Sequence, residues 1–100
     1  MRESKIERAL VDAVKKQGGI AFKFTSQTMN GIPDRLVLLP GGQIGFVELK
    51  APGKQLRLLQ KKRKAQLEAL GFPVFTVDRL DMIDGTIKRI AHGRNGGDAP

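Results

Sequence analysis

The chain has 100 residues, 40% of them apolar and 28% charged, and no cysteine. That length holds one compact domain rather than two, the lack of cysteine excludes a disulfide or thiolate-metal framework, and no apolar run approaches the length that crosses a bilayer. Eighteen Lys and Arg against ten Asp and Glu leave a formal charge of +8, which suits a polyanionic partner, most commonly a nucleic-acid backbone.

The opening "MRESKIERAL" is charged and lacks an apolar leader core, so an intracellular protein is expected. From about Glu3 to Lys16 the pattern predicts an amphipathic helix, with Ile6, Ala9, Leu10, Ala13 and Val14 on one side and Lys5, Arg8, Asp12, Lys15 and Lys16 on the other. Glu7 is the only charged residue on the apolar side and needs compensation. A capping box with Ser4, which has the S-x-x-E spacing, is the structural explanation.

"IAFKF" (Ile20 to Phe24) alternates as a first strand and leads into the polar loop "TSQTMNG". "DRLVLL" and "QIGFVELK" read as a hairpin around Pro40-Gly41-Gly42, with Pro33, which has no N–H to give, marking the strand start. A second helix is expected from about Gln55 to Leu70, then a strand at "PVFTV" (Pro73 to Val77), then a short helix and a return segment in "DRLDMIDGTIKRI". "AHGRNGGDAP" reads as a loose tail, so the domain is placed at residues 1–92 with 93–100 outside it. The order predicts a small mixed α/β sheet: an antiparallel hairpin, continued by a strand reached through a helical crossover and flanked by helices.

A loop of three residues sets Leu39 opposite Gln43 and Asp34 opposite Glu48, whereas a loop of two or four would send the two carboxylates to opposite faces. Facing carboxylates on a basic chain are costly without a cation between them, and oxygen ligands with no His or Cys select Mg²⁺ or Mn²⁺. Alternation places Lys50 on the face of Glu48. Two acids, a metal and a lysine form an apparatus that cleaves phosphodiesters. Alternatively, Asp34 follows a turn and Glu48 and Lys50 line an exposed edge.

From Lys50 to Lys64 seven basic residues, Lys54, Arg57, Lys61 and Lys64 among them, occur without an acid. Such a stripe is either a nucleic-acid contact or a solvated helix face, and five Phe with no Trp or Tyr argue against a stacking platform for single strands. In the second helix Leu56, Leu59, Leu67 and Leu70 define an apolar arc, with Gln60 and Arg63 within or beside it. Leu58, Ala65 and Ala69 form an opposite stripe suited to a dimer contact. Gln60 is either a site residue or a boundary residue bonded to backbone. His92 has no partner in sequence and is not expected to be catalytic.

Pro33-Asp34 followed by Glu48-Leu49-Lys50 resembles the PD-(D/E)XK nuclease signature. The helix with its acid, the G-x-P-D segment, the hairpin, E-x-K, the Gly/Pro turn and the Gln-bearing helix together resemble the VRR-Nuc family, small stand-alone forms of which occur in phages. The likeness runs from Glu7 to about Val77, although Val77 is followed by Asp78 and Arg79 rather than by two arginines. The resemblance implies a PD-(D/E)XK-like core and metal ligation by Asp34, Glu48, the Leu49 carbonyl and, directly or through water, Glu7. It implies Lys50 as the catalytic lysine and Gln60 near the active site. It also implies a homodimeric, structure-selective endonuclease acting on branched DNA, similar to Holliday-junction resolvases, in the host cytoplasm if phage-encoded. The competing functions are a non-catalytic basic nucleic-acid-binding module and a protein-interaction subunit using the Leu58, Ala65, Ala69 stripe.

Overall fold

The computed structural model describes residues 2–93. The chain runs as α1 (Glu3–Lys16), β1 (Ile20–Lys23), β2 (Arg35–Leu39), β3 (Gln43–Leu49), α2 (Leu58–Ala69), β4 (Val74–Val77), a 3-10 turn (Leu80–Met82) and α3 (Ile83–Ala91). The strands form one mixed sheet in the order β1-β2-β3-β4, the first three antiparallel and β4 parallel to β3. α2 thus supplies the crossover that a parallel pair requires. Among the described residues no helix is long and apolar enough to cross a membrane. The expected tail lies outside the described residues from 94 onward, whereas Ala91 closes α3 and His92 is its C-cap.

The hairpin register is the expected one. Leu39 pairs with Gln43 and Arg35 with Val47, and the loop between them turns on positive φ at Gly41 and Gly42. Alternation then sends Val37, Leu39, Val47 and Leu49 to one face, where they pack with Ile6, Leu10 and Val14 of α1 and Ile83, Ile87 and Ile90 of α3. β2 begins at Arg35 rather than Asp34, because the Asp34 side chain, not its backbone, reaches β3.

Three expectations are corrected. The Ser4–Glu7 capping box does not form: α1 starts at Glu3 after Arg2, with no side-chain cap, and Glu7 is engaged elsewhere. α2 starts at Leu58 rather than near Gln55, since Arg57 is still extended and its N–H is taken by the Gln60 side chain at 2.8 Å. No residue of α2 is buried; the apolar arc covers only part of the sheet's second face, and Leu70 stays 72% exposed and Leu58 85%. Finally, residues 80–91 are not a helix plus a return segment but a 3-10 turn running directly into α3. Ile83, Ile87 and Ile90 have the i, i+4, i+7 spacing of one helical face, while Gly85, a poor helix former, obscures the pattern.

α3 lies close against β3 because β3 has a glycine there. A Cβ at Gly45 would fall 2.6 Å from Ile90 Cγ1 and 2.7 Å from its Cδ1. Gly45→Ala is therefore expected to lose about 1–3 kcal/mol by forcing Ile90 or the helix to move. In urea denaturation, the double variant with Ile90→Ala should lose less than the sum of the two single changes.

Candidate active site

The expected site residues gather at one end of the sheet, where β1 hands over to β2. Phe24 N–H donates to the Asp34 carbonyl at 2.8 Å, so the loop of residues 25–33 leaves and returns at Asp34. The Asp34 carboxylate then crosses to β3, where its Oδ2 accepts the Leu49 N–H at 2.8 Å. The glycine of the G-x-P-D segment has a physical reason. Gly31 has φ +81° and sits where a Cβ would lie 2.8 Å from the Leu59 carbonyl oxygen, so only glycine lets the loop rest on α2. Arg63 secures the same contact by donating from Nε to the Asn30 carbonyl at 2.7 Å.

Glu48 is 4% exposed and is the buried acid of the site. Its Oε2 accepts from Gln60 Nε2 at 2.6 Å and lies 3.7 Å from the Lys50 ammonium. Gln60 makes both kinds of contact: its Oε1 accepts the Arg57 backbone N–H while its amide nitrogen donates to the buried Glu48 carboxylate. The backbone bond orients the amide so that a donor faces Glu48. Glu7 approaches from α1, but its Oε2 accepts from Arg35 Nε at 2.8 Å, and Arg35 Nη1 donates to the Ala21 carbonyl at 3.0 Å. Arg35 is the residue that sequence reading missed. Its signal was present: it occupies an inward position of β2 in line with Val37 and Leu39, and Glu7 is a charge on an apolar helix face, so each misfit was the partner the other needed.

A search against family models finds no match. The chain is 50% identical over 82 residues to "Putative nuclease p44" of Acyrthosiphon pisum secondary endosymbiont phage 1, covering 82% of this chain and 88% of that one. Its fold superimposes on a solved "VRR_NUC domain" with a TM-score of 0.80 at 28% identity, covering 86% of this chain and 94% of that one. The chain belongs to the VRR-Nuc family of nucleases.

In this VRR-Nuc protein the donor set at the sheet end is all oxygen. Asp34 and Glu48 meet there, and a strand residue turns its N–H and C=O to the same side, so the Leu49 carbonyl faces the side on which Asp34 accepts its N–H. Glu48 Oε1 is buried and without a hydrogen-bond partner, an open acceptor of the kind a hard cation fills. Among the described residues no three His, Cys, Asp or Glu side chains form a ready cage, since Glu7 is turned to Arg35. Two carboxylates and a carbonyl nevertheless match the sparse protein ligation that Mg²⁺ accepts. Lys54, Arg57 and Lys61 are exposed and Lys64 partly so; none makes an ion pair among the described residues. Where the family's name-giving arginines are missing, Asp78 Oδ2 accepts the Gly53 N–H at 3.3 Å and braces the turn between β3 and α2.

Burial raises the Asp34 carboxyl, opposed first by the Leu49 N–H. Burial, reinforced by the charge of Asp34, pushes Glu48 from its ordinary 4.5 up to about 7, with Lys50 opposing. Between those values the folded protein keeps a proton that the unfolded chain has released, so stability falls as pH rises through this window and levels off above it. For Glu48 the loss approaches roughly 3 kcal/mol in metal-free protein. Denaturation in chelator from pH 4 to 8 should show this decline, and Glu48→Gln should remove most of it and be more stable than the parent at pH 8.

Proposed function

We propose that this VRR-Nuc protein is a Mg²⁺- or Mn²⁺-dependent endodeoxyribonuclease that hydrolyses phosphodiester bonds in branched DNA. The observation that carries the reading is the meeting of Asp34, Glu48 and Lys50 at one sheet end, with the buried Glu48 Oε1 left open. Asp34, Glu48 and the Leu49 carbonyl would hold the cation, and Glu7 would contribute through water from its place beside Arg35. When bound, the cation supplies Lewis acidity, lowering the pKa of a water and polarising the phosphoryl oxygen.

The chain's own groups do the rest. Lys50, half-buried and within 3.7 Å of Glu48, donates to the attacking water or to the charge that grows on the phosphoryl oxygens. Gln60 holds Glu48 Oε2 and so leaves the other oxygen for the cation. Lys54, Arg57, Lys61 and Lys64 line the approach along α2 and its leading turn, and they would neutralise backbone phosphates on either side of the scissile bond. Among the described residues the helices are all accounted for by the core and the crossover, which supports selectivity for DNA shape rather than sequence. Homodimeric action on two strands draws support from the Leu58, Ala65, Ala69 stripe, which faces solvent on α2.

Cleavage of a four-way junction, a flap and linear duplex, run side by side with Mg²⁺, Mn²⁺ or chelator, tests this reading. Junction or flap cutting that disappears in chelator and falls on the order of a hundredfold or more in Lys50→Ala is expected. Salt-sensitive binding without cutting would point instead to a basic binding module, and cutting of linear duplex alone would remove the branch selectivity.

A further inference from the structure

Glu48 has a neighbour that the catalytic reading does not use. In the parallel ladder Glu48 pairs with Thr76, so the two side chains stand on the same face of adjacent strands, which lie about 4.8 Å apart. Both carry a buried oxygen without a hydrogen-bond partner, Glu48 Oε1 and Thr76 Oγ1, so in the side-chain positions the structure describes the two are neighbours that do not yet bond each other. Buried polar atoms are rarely left unpaired, and two of them side by side on one face are each other's simplest remedy. One is an acceptor and the other carries a proton to give.

We propose that Thr76 is a positioning residue of the active site, its side chain turning so that the hydroxyl donates to Glu48 Oε1 and fixes the carboxylate that would hold the cation. An ionised carboxylate has about four acceptor positions. Gln60 takes one on Oε2, with the Lys50 ammonium 3.7 Å from the same oxygen, Thr76 takes one on Oε1, and a single position on Oε1 remains for a divalent cation. The carboxylate is then held from α2, from its own strand and from β4, so its open lone pair has one direction. Thr76 also lines the cleft bounded by Lys64 and Glu68 of α2 and by Phe72. Glu48 is thereby tied to the edge strand as well as to the crossover helix. This role depends on the nuclease reading only for what the cation does.

The test compares Thr76→Val, which keeps the shape and removes the hydroxyl, with Thr76→Ser, which keeps the hydroxyl. In metal-free protein Thr76→Val should lower the melting temperature by several degrees, whereas the same change in a Glu48→Ala background should leave it level or raise it, because an idle buried hydroxyl is better replaced by a methyl. Titration calorimetry with Mn²⁺ should give roughly tenfold weaker binding for Thr76→Val, in the range seen for groups that orient metal ligands, and binding within about twofold of the parent for Thr76→Ser. A Thr76→Val protein that melts higher than the parent in both backgrounds overturns the proposal. So does unchanged Mn²⁺ affinity. If the parent itself neither binds Mn²⁺ nor cuts DNA, the nuclease reading fails, and the melting comparison still decides the Thr76 to Glu48 hydrogen bond.

Discussion

A loop of three residues, Pro40 to Gly42, sets Leu39 opposite Gln43, and that count assigns every side chain of the hairpin to a face. With one residue more or fewer the two arms would fall out of phase: if Val37 and Leu39 stayed inward, Val47 and Leu49 would turn outward and Glu48 would be driven toward Ile6 and Leu10 of α1. The core and the site therefore depend on the same register. The apolar contacts on one face hold the register firmly, and the carboxylates on the other face could not be held without it.

The site is built from groups that are individually unfavourable where they stand. Glu48 is buried beside a second acid, Asp34, and Arg35 points toward the core, while Glu7 interrupts the apolar side of α1. Each is compensated locally: Glu48 by Gln60 and Lys50, and Glu7 and Arg35 by each other. The compensation is incomplete at Glu48, whose carboxyl is pushed up to about 7 by burial and by Asp34. That cost is local to the acid, and the closely packed core of Ile6, Leu10, Val37, Val47, Ile87 and Ile90 lies on the sheet's other face.

α1, the hairpin and the parallel β4 were legible because each rests on local information: a helical period, an alternating run, a Pro-Gly-Gly turn. The acids and lysine of the hairpin were legible through register. What escaped depended on contacts distant in sequence. The start of α2 is set by Gln60 reaching back to Arg57 while also reaching across to Glu48, and no periodicity encodes that. The pairing of Glu7 with Arg35 spans 28 positions, and a charge on an apolar face shows only that a partner exists. α3 was obscured by Gly85, although its isoleucines carried the correct spacing, because burial against β3 outweighs one weak helix former.

α2 joins these lines of reasoning, since it has no buried residue and yet a defined position. Apolar burial alone cannot hold it. Its placement rests heavily on specific contacts: Gln60 to Glu48, Arg63 to the Asn30 carbonyl, and Leu59 against the bare Cα of Gly31. The helix that carries Gln60 also carries Lys61 and Lys64, so these lysines share one element with the amide that bonds the buried acid of β3. The helix cannot shift by much without pulling the amide off Glu48. A helix held by a continuous greasy stripe could slide along the sheet, whereas this one is pinned in register by a few polar contacts.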